Sequence, residues 1–337
     1  MRPLLHPTLV NGRFGDPALY IETLFEKHAI LFDLGDIAAL SPRDVLRIEQ
    51  VFVSHAHVDH FIGFDRLLRL SVGREREIKL FGSAGLIDQV GHKLHGYQWN
   101  LAPGYDCDLV FVVTEIDALL ATRTAGFRLK RAFAPEDMGR GHLHDAIVHA
   151  EATFRVSTAV LDHRIPCLAF AIEEAQHVNV WKNRLAERGL AIGPWLRDLK
   201  HAVVGGRTDD FPIPLAAGAT APLGALRDLV SVTPGQKIAY ATDAADTPAN
   251  RAAIAGLARG ADLMFIEAAF AKADAALAAE RAHLTTAAAG EIARMAGVRR
   301  VEPFHFSARY AGEGERMLAE VMEAFAGVTL PSPEGGG

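Results

Sequence analysis

The segment Ser54-His55-Ala56-His57-Val58-Asp59-His60 places three imidazoles and a carboxylate within six residues, directly after an apolar run and before a helical pattern. Alternate side chains of an extended segment share a face, so His55 and His57 point to one side. Asp59 and His60 fall where the chain turns into the helix and can point back at the same volume. Imidazole and carboxylate suit zinc and related divalent ions. Keeping three such rings beside an acid is costly without a metal to pair them. One cluster does not supply two metals, but three later apolar runs end on suitable groups. His163 follows residues 155–162, Asp243 follows 237–242, and His305 follows 299–304. With His55, His57, Asp59 and His60 they make a set of seven.

These residues need a scaffold that brings strand ends together. The apolar run 48–54 reads as a strand ending at His55. Residues 61–73 carry apolar side chains at helical spacing and stop at a glycine. Residues 18–35 hold two β-rich runs with Glu26-Lys27-His28 as the expected turn. Strand, helix and several further β-like runs follow to residue 174. From 236 the pattern alternates strand and helix three times. A β-rich first half and an alternating second half fit an α/β or layered αββα arrangement. The expected divisions are 1–174 as the first half of the sandwich, 175–230 as an inserted helical arm, 231–330 as the second half and 331–337 as a loose tail.

The 337 residues are half hydrophobic and 23% charged, which excludes wholesale disorder. A net charge of -6 excludes a broad basic shell, though not a local basic patch. Two cysteines exclude a disulfide framework and suit a reducing compartment. No apolar run approaches the roughly 18 residues of a membrane span, and the N-terminus lacks a signal-peptide core. A cytoplasmic enzyme without a membrane partner is expected.

The histidine cluster, the lone His163, Asp243 within Tyr-Ala-Thr-Asp-Ala and the C-terminal His305 resemble, in order, the motif series of the metallo-β-lactamase superfamily. Asp33 fits its early structural aspartate. Three further segments are similar to ribonuclease Z, the tRNA 3′-processing endonucleases. Residues 305–310 resemble the last motif of that family, 265–270 with 283–293 its acid-bearing segment, and 177–203 its tRNA-binding arm. The resemblance implies a metallo-β-lactamase αββα sandwich with an inserted arm. It implies two divalent ions, zinc first, with manganese or iron also compatible with these ligands. His55, His57 and His163 would bind one ion, Asp59, His60 and His305 the other, and Asp243 both. A hydroxide between the ions would attack phosphorus, with Asp59 orienting it or accepting its proton. His283, expected at a helix start and away from the metal set, would protonate the departing 3′-oxygen, oriented by Glu267. Arg309 would hold a phosphate oxygen. Lys182, Arg184, Arg197 and Lys200 in the arm would contact precursor tRNA, and family practice suggests a homodimer.

The chain departs from the family at several rims. Gly35-Asp36-Ile37 replaces a Gly-Glu-Gly-Thr-Gln stretch, and Ile266-Glu267-Ala268-Ala269 replaces His-Glu-Ala-Thr. The ligand set serves a small-molecule hydrolase equally well. Cyclic nucleotides, thioesters, lactones and sulfate esters therefore stand as the alternative substrates. The arm's cations could grip tRNA, or the arm could be an amphipathic hairpin packed on the body.

Overall fold

Runs of β-branched and aromatic residues bounded by turn formers become strands, as their chemistry favours. In the computed structural model, which describes residues 4–24, 27–215 and 219–327, an eight-stranded sheet keeps spatial order identical to chain order. Its strands are Leu5–Leu9, Leu19–Thr23, Ala29–Phe32, Ile48–Val53, Arg76–Ser83, Leu109–Ile116, Ala121–Arg128 and Pro135–His142. The four central strands are parallel, and the outer pairs antiparallel. The second sheet runs Val301–Phe304, Leu263–Glu267, Lys237–Ala241, Pro166–Glu174, Phe154–Asp162 and Ile147–Ala150. Of the turn expected at 26–28, Glu26 lies outside the described residues, as does the tail 331–337.

Three apolar layers result. Between the sheets, Phe32 and Phe52 of the first meet Phe170, Tyr240 and Phe304 of the second. Phe32 stacks on Phe170 and on Tyr240 at 5.6 Å each. Helices Phe64–Ser71 and Leu86–His95 cover the outer face of the first sheet. Helices Pro248–Leu257, Thr286–Ala296 and Gly314–Ala326 cover that of the second. This is the αββα sandwich. No helix among the described residues is long and apolar enough to cross a membrane.

The helix expected over 61–73 is broken. Val58–Phe61 and Phe64–Ser71 are separate pieces. The break follows from a close backbone approach. Gly63 N donates to the Leu34 carbonyl at 2.9 Å, and a Cβ on Gly63 would sit 2.2 Å from the Gly35 carbonyl oxygen. Strands Leu5–Leu9, Pro135–His142 and Ile147–Ala150 carry no strong sequence pattern; Pro135–His142 is exposed throughout and is held by pairing with Ala121–Arg128.

The chain divides into two compact units, Met1–Glu173 with Gln236–Gly337, and Glu174–Gly235. The second has its own core of Leu185, Trp195, Leu199, Ile213, Leu223, Leu226 and Leu229. It contains helices Lys182–Glu187 and Trp195–Val204 and a strand pair, His177–Val180 with Val230–Thr233.

Candidate metal centre

Parallel strands finish at one edge, so the residues that follow them converge. Glu267 pairs in register with Phe304, and Ala241 with Ile266, which sets Asp243, Glu267 and His305 side by side. Phe32 pairs with Phe52, which brings Asp33 against Ser54 and His55. His163 follows the strand ending at Asp162. All seven expected ligands meet at this edge. Three groupings have mutually close ligand atoms: His55, His57, His163 and Asp243; Asp59, His60 and His305; and Asp243, Glu267, His283 and His305.

The rings are held from behind. Asp33 is fully buried and accepts four hydrogen bonds: Ser54 N (2.6 Å) on Oδ1, and Ser54 Oγ (2.9 Å), His60 Nδ1 (2.9 Å) and Tyr240 OH (2.7 Å) on Oδ2. Because the Ser54 hydroxyl proton goes to Asp33, Ser54 Oγ is left to accept from His55 Nδ1 at 3.1 Å. His163 Nδ1 donates to the Ala282 carbonyl at 2.8 Å. Each of these rings therefore spends its Nδ1 proton outward and turns Nε2 inward, the arrangement that fixes metal-binding histidines.

The inward atoms are left without partners. His55 Nε2, His60 Nε2 and His305 Nδ1 are buried and make no hydrogen bond among the described residues. His305 Nδ1 lies 2.9 Å from Asp243 Oδ1 without hydrogen-bond alignment, while Asp243 Oδ2 lies 3.4, 3.5 and 3.7 Å from His60, His163 and His55 Nε2. A carboxylate ringed by unaligned imidazole nitrogens is what shared cations would satisfy, so the donor set fits a metal pair. Electrostatics agree. Burial, with positive neighbours, pushes His55 down to about 2. Burial opposes charge on His60 as well, but Asp243 and Asp33 overcome it and raise the ring to about 10. Burial works against the Asp59 carboxylate, yet its contacts with His305 and His60 bring it down to about 2.

His283 differs from its expected place. The helix Thr286–Ala296 is capped by Thr285, so His283 precedes it in a loop. It also lies beside the ligand set, its ring 4.9 Å from that of His163. The reason is Glu267, fully buried, whose Oε2 accepts from His283 Nδ1 at 2.9 Å. Glu267 Oε1 accepts from Ala244 N (2.7 Å) and Leu284 N (3.2 Å), tying the loop to the strand end. Burial lowers the His283 pKa, but Glu267 reverses that and raises it.

A cavity of about 660 Å³ opens over the centre, lined by His57, Asp59, His163, Asp243, His283 and His305. Arg309 lines it as well, as do Phe14, Asp16, Leu277 and Arg281, which no sequence pattern singled out. Phe14 reaches the site because Phe306 N donates to the Arg13 carbonyl at 2.8 Å and the Phe14 and Phe306 rings meet edge-on at 5.4 Å. A contact between residues so distant in the chain has no local signature. In the smaller unit, Lys182 and Arg197 are exposed and Lys200 is half-buried. Arg184 lies over the Trp181 ring and donates to the Asp228 carbonyl, so it is partly spent on the unit itself. Trp195 is buried in that unit's core.

Comparison with known proteins agrees with this architecture. The model of the beta-lactamase superfamily domain matches residues 229–306. The chain is 32% identical to a ribonuclease Z of Deinococcus radiodurans over 300 residues, 88% of this chain and 87% of that protein. It is also 32% identical to a ribonuclease Z of Thermobifida fusca over 335 residues, 93% of this chain and 90% of that protein. Among solved structures, the metallo-beta-lactamase fold protein YhfI from Bacillus subtilis superimposes with a TM-score of 0.55 at 15% identity, covering 94% of this chain and 92% of its own. The short form of human tRNase Z gives 0.51 at 17% identity, covering 90% and 93%. These two likenesses concern the fold.

Proposed function

The chain belongs to the ribonuclease Z family, metal-dependent endoribonucleases of the metallo-β-lactamase fold, and we propose that it cuts precursor tRNA at the 3′ trailer junction using the centre described above. His55, His57 and His163 would hold one divalent ion, Asp59, His60 and His305 the second, and Asp243 would touch both. When bound, such a pair lowers the pKa of water and stabilises charge on a phosphoryl group. Asp59, half-exposed at the cavity and held as a carboxylate by His305, is placed to take a proton from the attacking water.

The observation that carries the reading to a phosphodiester is the Glu267–His283 pair on the same cavity wall. A departing ribose 3′-oxygen is a poor leaving group and needs a proton. Glu267 keeps His283 protonated to higher pH and points its free Nε2 away from the carboxylate. An ester with an activated leaving group has no use for this device. Arg309 lines the cavity and can bind a non-bridging oxygen.

The smaller unit, with exposed Lys182 and Arg197, is the proposed tRNA grip, with Lys200 and Arg184 contributing less. Zinc is the proposed metal, and a cytoplasmic homodimer the proposed state. The experiment is incubation of metal-loaded protein with a precursor tRNA bearing a 3′ trailer, with products mapped at nucleotide resolution. Cleavage at the trailer junction leaving a 3′-hydroxyl is expected. Turnover of bis-p-nitrophenyl phosphate without any tRNA cleavage would reject tRNA as the substrate. Metal analysis and light scattering on the same sample test the zinc and the dimer.

A further inference from the structure

The helix Ala275–Arg281 presents Leu277 and Arg281 on one face, one turn apart, and both line the cavity. The helix ends at Ala282, whose backbone is left-handed (φ 58) and whose carbonyl accepts from His163 Nδ1. The next residue is His283. Arg281 is thus anchored two residues from the proposed proton donor, through a turn fastened to the ligand set. Its side chain is exposed, and among the described residues no carboxylate pairs with it or with Arg309. The cavity's carboxylates are otherwise engaged: Asp59 and Asp243 face the histidines, and Asp16 accepts from Asp36 N at 3.3 Å. Two guanidiniums without a carboxylate partner therefore line the cavity from separate segments, Arg281 two residues before His283 and Arg309, which also lies over the Tyr310 ring, four residues after His305. That is more cationic capacity than a single phosphodiester needs.

We propose that Arg281 is a substrate-positioning residue that binds the backbone phosphate immediately 5′ of the scissile one. This rests on the endonuclease reading given above. His283 delivers its proton to the 3′-oxygen of the nucleotide on the 5′ side. The next phosphate in that direction belongs to the same nucleotide, and Arg281, on the cavity wall two residues before His283, is the guanidinium assigned to it. Arginine suits the task because its planar fork matches two phosphate oxygens and stays charged. The contact discriminates a polynucleotide, which has this second phosphate, from an isolated diester, which has none. It also pulls the leaving oxygen toward its proton donor.

The test compares unmodified holoenzyme with Arg281→Ala and Arg281→Lys on a trailer-bearing precursor tRNA, on the same RNA with one neutral methylphosphonate 5′ of the cut, and on bis-p-nitrophenyl phosphate. Arg281→Ala should raise KM for the natural RNA about tenfold, a partly exposed charge-assisted contact. It should also lower the salt slope of binding by about 1. The loss on RNA should exceed that on the small diester at least fivefold, and Arg281→Lys should recover part of it. With the methylphosphonate RNA, unmodified enzyme should fall to the level of the variant, and the variant should lose little more. Full additivity of the two changes, or equal losses on RNA and small diester, overturns the proposal. Failure of the unmodified enzyme to cut the RNA, while it hydrolyses the small diester, overturns the endonuclease reading instead.

Discussion

Glu267→Gln isolates the charge behind the proposed proton donor with almost no change of shape. Glu267 Oε1 accepts from two backbone N–H groups, Ala244 and Leu284, and Oε2 accepts from His283 Nδ1. A glutamine must keep its amide oxygen toward the two N–H donors. Its NH2 then faces His283 Nδ1, a donor against a donor whenever that nitrogen is protonated. The imidazolium loses its support, and the His283 pKa, raised by Glu267 against burial, falls. A hydrogen bond to a charged group contributes about 1.5–3 kcal/mol, which corresponds to roughly 10- to 150-fold in kcat if proton donation limits the reaction. The acid must be protonated to act, so activity is lost as pH rises through its pKa. The variant should therefore lose activity on the alkaline side at lower pH than the parent. Single-turnover cleavage of precursor tRNA across pH, beside hydrolysis of bis-p-nitrophenyl phosphate, reads both effects. The p-nitrophenolate leaving group needs little protonation and should suffer far less. Equal losses on both substrates at full metal content, or an unmoved alkaline limb, would refute the assignment of His283 as acid and Glu267 as its support.

Asp243→Ala should abolish binding of at least one ion, because Asp243 lies 3.7 and 3.5 Å from His55 and His163 of one proposed set and 3.4 and 2.9 Å from His60 and His305 of the other; two ions per chain by mass-spectrometric metal analysis would sink its shared role. Metal uptake should release protons, since His60 is raised to about 10 and His305 well above its usual value, both by Asp243 acting against burial. Titration calorimetry in two buffers of different ionisation enthalpy tests this, and identical heats would count against it. In metal-free protein the sign runs the same way: stabilisation from these raised rings is full below about pH 6.5 and is lost as pH climbs through about 10. Asp33→Ala strands Ser54, His60 and Tyr240 in a dry site and should cost about 3–5 kcal/mol, read as a fall in Cm together with metal loss. Replacing Glu174–Gly235 by a short linker is feasible because a Cβ on Gly235 would lie 2.3 Å from the Glu174 carbonyl oxygen. It should depress precursor-tRNA cleavage far more than small-diester hydrolysis, and equal losses would reject the unit as the RNA grip.

Much of the centre was legible because metal chemistry demands particular residue types at strand ends. His55 to His60 announced themselves by density, and His163, Asp243 and His305 by closing apolar runs. What could not be read locally was everything set by contacts across the chain. The break between Val58–Phe61 and Phe64–Ser71 comes from Gly35 pressing on Gly63, and a helical pattern is blind to that neighbour. His283 was expected away from the ligands because its sequence suggests only a helix start. Its true place is dictated by Glu267, which binds the loop by two backbone N–H groups as well as the ring. The exposed strand Pro135–His142 has no apolar alternation and exists through pairing alone.

The same distinction explains how the centre is built. Metal ligands are costly to bury unpaired, and three of the candidate ligands here are bound to the fold by something other than a metal. His55 and His60 lean through Ser54 and Asp33 on Tyr240 of the second sheet. His163 leans on Ala282, and the proposed proton donor His283 is held in the same way by Glu267. The first sheet contributes His55, His57, Asp59 and His60, while the second contributes His163, Asp243 and His305. The Tyr240–Asp33 hydrogen bond crosses between the sheets beneath the site and fixes the spacing of these two half-sets. A change that leaves every ligand in place but loosens that bond should widen the gap between them. The hydrogen bond that would set the spacing of the candidate ligands thus lies in the core of the sandwich, where both Tyr240 and Asp33 are fully buried.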